Sequence, residues 1–202
     1  RYKDKLGSDA NDFINYAVDG AARMQKLIKD LLLYSRTGRK EKQLVNIDIN
    51  AIIDNVRVNL AKAIAEKNAE ISVPELPAVC GDESQVLQLF QNLISNSLKF
   101  SKKDKACKVE IFSEEKNSMI QFCVKDNGIG IASEYFEKVF VVFQRLHASN
   151  EYSGTGIGLA ICKRIVENHG GKIWIKSKEG EGAEFYFTLP SAGKQEGAYG
   201  GS

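Results

Sequence analysis

Asp126-Asn127-Gly128-Ile129-Gly130 follows a stretch, Met119 to Lys125, in which apolar and polar residues alternate, predicting a half-buried strand that delivers the Asp126 carboxylate to its end. Gly128 and Gly130 are free to take left-handed backbone angles and to admit a ligand close to the chain. A carboxylate at the rim of an apolar pocket accepts from the exocyclic amine of adenine but meets an oxygen in guanine, so it separates the two purines. Asx-Gly is also a common hairpin turn, and the pentapeptide alone leaves both readings open. Asn92, Asn96 and Lys99 stand at i, i+4 and i+7 of a predicted helix, hence on one face, with Val86, Phe90, Leu93 and Ile94 opposite. An amide oxygen can complete a magnesium shell otherwise made of water and phosphate oxygens, and an ammonium neutralises phosphate. For any one of these residues a solvated face is the alternative. Gly154-Thr155-Gly156-Ile157-Gly158-Leu159 opens a further predicted helix, whose first N–H groups and positive dipole end form an anion site. Its G-x-G-x-G spacing lets backbone lie close to a triphosphate and matches neither the dinucleotide fingerprint nor the P-loop.

These groups need a scaffold. The chain has 202 residues, 43% of them hydrophobic, enough for one compact domain with a helical appendage. Twenty-eight Lys and Arg against 26 Asp and Glu, well interspersed, mark no surface for nucleic acid or membrane. Cys80, Cys107, Cys123 and Cys162 form no C-x-x-C pair and stand mostly where the pattern turns inward, as reduced core residues of a cytoplasmic protein do. No apolar run is long enough for a signal peptide or a membrane span, and the lack of an initiating Met suggests a piece of something longer.

Ser8 is a candidate N-cap for a helix to about Tyr34. Phe13, Ala17, Gly20, Met24, Leu27, Leu31 and Tyr34 repeat at alternating spacings of 4 and 3, a heptad seam that calls for partner helices in another subunit or upstream. The polar 37–43 reads as a linker, 44–190 as the main domain and 191–202 as a tail too polar to fold. Within the main domain the pattern predicts a short strand, a helix over 50–67 capped by Asp48, and a strand over 69–73. A helix to about Lys99 follows, opened by a capping box of Asp82 and Gln85. Strands over 108–113 and 119–125, a short helix over 133–140, a helix over 157–168 and a closing hairpin of 172–177 with 184–189 complete it. Trp174 is expected in the core.

In this order the motifs resemble those of sensor histidine kinases. Asn92-Leu-Ile-Ser-Asn96-Ser-Leu-Lys99-Phe100 resembles the N box, Asp126 to Gly130 the G1 box, Phe140-Val-Val-Phe143 the F box and Gly154 to Gly158 the G2 box. Glu167 to Gly171 and Gly180-x-Gly182 are similar to the closing segments. The resemblance covers about 44–190 and implies the Bergerat fold, a two-layer α/β sandwich with a mixed, mostly antiparallel sheet and three helices on one face. It further implies ATP and Mg2+ as cofactors, with Asn96 the principal metal ligand and Asn92 beside it. Lys99 and Arg145 reach phosphates, and Asp126 takes the adenine amine. Phe100, Gly128, Gly130, Phe143 and the loop from Gly154 to Leu159 surround the nucleotide, and 131–153 forms a mobile lid. Gyrase-like hydrolases of this fold carry a Glu general base where this chain has Asn92, which favours phosphotransfer over hydrolysis.

Asp12 to Arg36 resembles the second helix of a dimerisation and phosphoacceptor hairpin of the phytochrome-like, PAS-linked kind. The first helix, with its substrate histidine, is expected before Arg1, and the partners implied are a second copy and a response regulator. His147 lies in the lid without the acidic neighbour of a phosphoacceptor, and His169, before a Gly-Gly stop, reads as a helix-end residue.

Overall fold

The structure, a computed structural model, describes residues 8–36, 44–144 and 154–192. The long helix α1 (Ser8–Arg36) is followed by β1 (Val45–Ile47), α2 (Ile49–Asn59), the short α3 (Ala61–Glu66), β2 (Glu70–Ser72), β3 (Val79–Gly81) and α4 (Glu83–Lys99). Then come the hairpin of β4 (Lys108–Lys116) and β5 (Met119–Asp126), single 3-10 turns at Ser133–Tyr135 and Lys138–Phe140, α5 (Gly158–Asn168), and the hairpin of β6 (Ile173–Lys178) and β7 (Gly182–Pro190). Five strands form one sheet in the order β2-β4-β5-β7-β6, parallel between β2 and β4 and antiparallel elsewhere; β1 and β3 make a separate antiparallel pair.

Alternation sends Ile120, Phe122 and Val124 of β5 and Phe185, Phe187 and Leu189 of β7 to one buried face. Ile52, Ile53 and Val56 of α2, Leu89, Phe90 and Leu93 of α4, and Ile161, Ile165 and Val166 of α5 close over it in one apolar cluster. Phe90 lies edge-on to Phe122 and Phe187, at 5.6 and 5.4 Å between ring centroids. Each such buried side chain stabilises by roughly 1.5–3 kcal/mol relative to exposure. The expected two-layer sandwich is therefore present, with α2, α4 and α5 on one face of a mostly antiparallel sheet.

Several local expectations are corrected. The helix expected over 50–67 breaks at Leu60 (φ −103, ψ 7), which closes α2 and opens α3. α2 buries Ile49, Ile52, Ile53 and Val56 and α3 buries nothing fully, so the break frees α3 from the core's geometry. The helix expected over 133–140 is two separate turns, of which the second reaches the core through Val139 and Phe140. Trp174 is outside the core: it pairs with Tyr186 on the sheet face turned away from the helices, the rings stacked at 5.5 Å. Asp48 caps α2 by accepting from the Asn50 N–H at 2.8 Å. Asp82 accepts from the Gln85 N–H at 3.1 Å, but the reciprocal half of the box is replaced, because the Asp82 N–H donates to His169 Nε2 at 3.0 Å.

Along α1, Phe13, Met24 and Leu31 of the seam are exposed, whereas Leu27 and Tyr34 pack against the domain's own core. Two of the seam's last three positions are thus covered within the chain itself, with Leu31 between them left exposed. Among the described residues no helix is long and apolar enough to cross a membrane. The expected linker 37–43 and most of the expected tail lie outside the described residues, although Ser191 and Ala192 still bond back to Ser118 and Ala78.

Candidate functional site

β5 ends at Asp126, and the carboxylate is buried there by the two layers it joins. Its Oδ1 accepts from the Gly128 N–H at 2.9 Å and the Ala183 N–H at 3.2 Å, and its Oδ2 from the Ser97 hydroxyl at 3.1 Å. Burial pushes the Asp126 pKa above the ordinary carboxylate range, and the bonds from Gly128, Ser97 and Ala183 offset part of that rise. The turn beyond it is pinned on both sides, by the Ile129 N–H to Phe100 O at 3.0 Å and the Gly180 N–H to Ile129 O at 2.7 Å. That closeness explains the glycines. A Cβ at position 128 would lie 2.6 Å from Phe100 O, and one at 130, where φ is +72, would lie 2.1 Å from Lys178 O.

α4 supplies the opposite wall. Asn92, Asn96, Lys99 and Phe100 line a cavity of about 380 Å³ together with Asp126, Gly130, Gly154, Thr155, Gly156, Gly158 and Leu159. That volume suits a ligand of nucleotide size. Asn92 is held at both ends: its Oδ1 accepts from Gln88 Nε2 at 2.9 Å and its Nδ2 donates to Gly158 O at 3.2 Å, tying α4 to the first turn of α5. Lys99 Nζ sits 4.3 Å from the centroid of the Phe100 ring and close enough to Gly154 that a Cβ there would meet it at 2.7 Å. Two ends are therefore distinct. Asp126 and Ser97 mark one, and the glycine loop with Asn92 marks the other, about 7 Å away along α4 at 1.5 Å per residue.

Most predicted site residues meet at this cavity, and three do not reach its wall. The Gly128 N–H is spent on Asp126. Ile157 is fully buried in the core, behind the loop it was expected to form. Phe143 is exposed at φ +66, its N–H donating to Gly156 O at 3.1 Å, so it braces the glycine loop from outside. Arg145, His147 and the rest of 145–153, the later part of the expected lid, lie outside the described residues. His169 is buried at the end of α5, its Nδ1 2.7 Å from Ile165 O, which fits a helix-end role.

Among the residues at the site that carried no expectation are Ser97 and Asp30. Ser97 continues the apolar stripe Val86, Phe90, Leu93 at the next helical step, and a serine on a buried stripe needs a partner, which was a readable signal. Asp30 of α1 lines the cavity and accepts from the Thr155 hydroxyl at 2.6 Å, a contact 125 residues apart with no trace in any local pattern.

The Asn96 amide fits magnesium in kind, since a hard cation takes oxygen ligands and tolerates a shell completed by phosphate and water. Among the described residues no group of three or more His, Cys, Asp or Glu is placed to hold a metal by protein ligands alone. Cys123 and Cys162, by contrast, are buried thiols whose pKa values burial pushes up to about 11 and about 12, so they are inert core groups.

Residues 81–193 match the family described as Histidine kinase-, DNA gyrase B-, and HSP90-like ATPase. Phytochrome-like protein Cph1 of Synechocystis sp. is 47% identical over 190 residues, 94% of this chain and 25% of that protein. Cyanobacterial phytochrome A of Nostoc sp. is 45% identical over 195 residues, 96% of this chain and 25% of that protein. The chain thus spans about a quarter of the length of these curated relatives. Among solved structures, full-length ShkA in complex with AMPPNP superposes with a TM-score of 0.73 at 26% identity, over 93% of this chain and 40% of that one. ThkA in complex with response regulator protein TrrA gives 0.70 at 25% identity, over 95% and 55%.

Proposed function

The chain belongs to the histidine kinase-, DNA gyrase B- and HSP90-like ATPase family, among its sensor histidine kinases, and from that premise we propose that residues 44–190 bind Mg-ATP and transfer its γ-phosphoryl group to a histidine on a helix that pairs with α1. Asp126 accepts from the adenine amine through the remaining lone pair of Oδ2, and Phe100 lies along the same wall. The backbone N–H groups from Gly154 to Leu159, with Lys99 and Arg145, hold the phosphates. Asn96 holds the magnesium, and Asn92 stands beside it as the tie between α4 and α5. The metal, when bound, neutralises phosphate charge; the chain's own residues position the nucleotide for in-line attack.

The observation that carries phosphotransfer over hydrolysis is Asn92, an amide locked by Gln88 and Gly158 where the hydrolytic relatives place a basic carboxylate. A homodimer through the helical hairpin and a response regulator as the next acceptor complete the reading, supported by the exposed stretch of α1. Four unpaired cysteines support a reducing, cytoplasmic setting.

Radiolabelled Mg-ATP tests this with the chain alone and with an added domain carrying the upstream histidine helix. Acid-labile label is expected on the added domain and none on the chain itself. Rapid phosphate release with no labelled protein would instead establish a gyrase-like ATPase.

A further inference from the structure

Asp30 is the cavity-lining group that the proposed chemistry leaves unused. Among the described residues lining the cavity, the ionisable side chains are Asp30, Lys99 and Asp126. Asp126 is at the far end, fastened by Gly128, Ala183 and Ser97. The glycine loop is therefore flanked by one cation and one anion, Lys99 against Gly154 and Asp30 on Thr155. Among the described residues, the charge beside the loop is thus divided between a group that would draw phosphate and one that would oppose it.

The placement of Asp30 is not incidental to its helix. Leu27, Asp30 and Tyr34 lie at i, i+3 and i+7, one face of α1. Leu27 and Tyr34 pack against the domain core, and Tyr34 also borders a second hollow formed with Phe140, Val142, Ala160 and Arg164. Docking of that face is what puts the carboxylate over Thr155. The same face, rotated or lifted, takes the charge away.

Resting on the nucleotide reading above, we propose that Asp30 is a specificity-determining residue that makes the α1-docked chain discriminate among adenine nucleotides by phosphate charge, favouring fewer phosphates. Each phosphoryl group added to the ligand brings negative charge toward the Thr155 end, where the partly buried Asp30 carboxylate opposes it. Adenine binding at Asp126 is untouched. By linkage, a ligand opposed by the docked carboxylate must itself weaken docking, so ATP loosens α1 and adenosine does not.

The experiment is an affinity ladder of adenosine, ADP and ATP with magnesium, read by calorimetry on the full chain and on its Asp30→Asn variant. Asn keeps an oxygen for the Thr155 hydroxyl and removes the charge. The expected result is no change for adenosine, a few-fold gain for ADP and a gain of about tenfold or more for ATP, the size of a single close charge interaction. Hydrogen exchange over Leu27 to Tyr34 should accelerate in the unsubstituted chain on adding ATP and not on adding adenosine. Weaker ATP binding in Asp30→Asn, an equal change across the ladder, or exchange that ATP leaves unaltered would overturn the proposal. Adenosine reports the pocket independently of Asp30, so a chain that binds none of the three ligands would refute the nucleotide reading, while a flat ladder on a binding-competent chain refutes this inference.

Discussion

Replacing Asp126 with Asn separates a binding carboxylate from a structural one. Oδ1 receives two backbone N–H groups, from Gly128 and Ala183, and an Asn oxygen in the same place keeps both. The amide nitrogen then takes the place of Oδ2 and turns a donor toward the adenine amine. Losing a bond to a charged acceptor costs about 1.5–3 kcal/mol, and leaving the buried amine opposed by another donor adds about 1 kcal/mol, so ATP affinity should fall by roughly 50- to 1,000-fold. Stability moves the other way. The folded-state pKa of Asp126 is raised, chiefly by burial. Below the unfolded carboxylate's pKa of about 4 both states are protonated and ionisation costs the fold nothing. Between the unfolded value and the raised folded one the unfolded state ionises while the folded state resists, so the penalty accumulates across that window and stands in full above it. The Asn variant escapes that penalty, so its melting temperature should be unchanged or higher while ATP binding collapses and the preference over GTP relaxes. Calorimetry with both nucleotides and a thermal melt at pH 7 are sufficient. Intact ATP affinity, or a large loss of stability with binding retained, would refute the adenine assignment.

Two further outcomes follow from the same geometry. Gly130→Ala meets both a left-handed backbone angle and Lys178 O at 2.1 Å, and should destabilise by about 2–4 kcal/mol, lowering the melting temperature by about 5–15 °C; a drop of less than about 2 °C would show that the turn yields freely. His169→Ala removes the acceptor for the Asp82 N–H and the partner of Ile165 O at one stroke, and urea unfolding should show a loss of about 2–4 kcal/mol; a loss under about 1 kcal/mol would mean that water replaces the ring at the α4–α5 joint.

The sheet and its three helices were legible because each carries a period: alternation along Met119–Asp126, and the stripe Val86, Phe90, Leu93 along Glu83–Lys99. Where an element's bounds came out wrong, tertiary packing had overridden local propensity, as at Leu60, where the core needs α2 and releases α3. The site was legible to the extent that its residues are clustered in the chain. Asp126 and the glycines announce a turn and an anion site by composition, and their meeting with Asn96 and Lys99 depended on motif order rather than on any contact that could be computed from spacing. Ile157 and Phe143 stand off the cavity wall for a related reason: a motif names a segment, whereas the alternation of inward and outward side chains decides which of its members turn a side chain to the cavity.

Asp30 marks where local reading ends. Nothing in Lys29-Asp30-Leu31 differs from a charged residue on a solvated helix face, and the heptad seam directs attention to Leu27, Leu31 and Tyr34 instead. Its significance arises only when Leu27 and Tyr34 find the domain core, because a helix fixed at two points one turn either side of Asp30 has one rotation left, and that rotation sets the carboxylate on Thr155. A seam expected to face only other helices therefore serves two surfaces, the exposed stretch through Phe13 and Met24 and the covered stretch at Leu27 and Tyr34. Because one rigid helix carries both, whatever repacks the exposed stretch must act on the covered one, and through Asp30 on the charge that the phosphates meet.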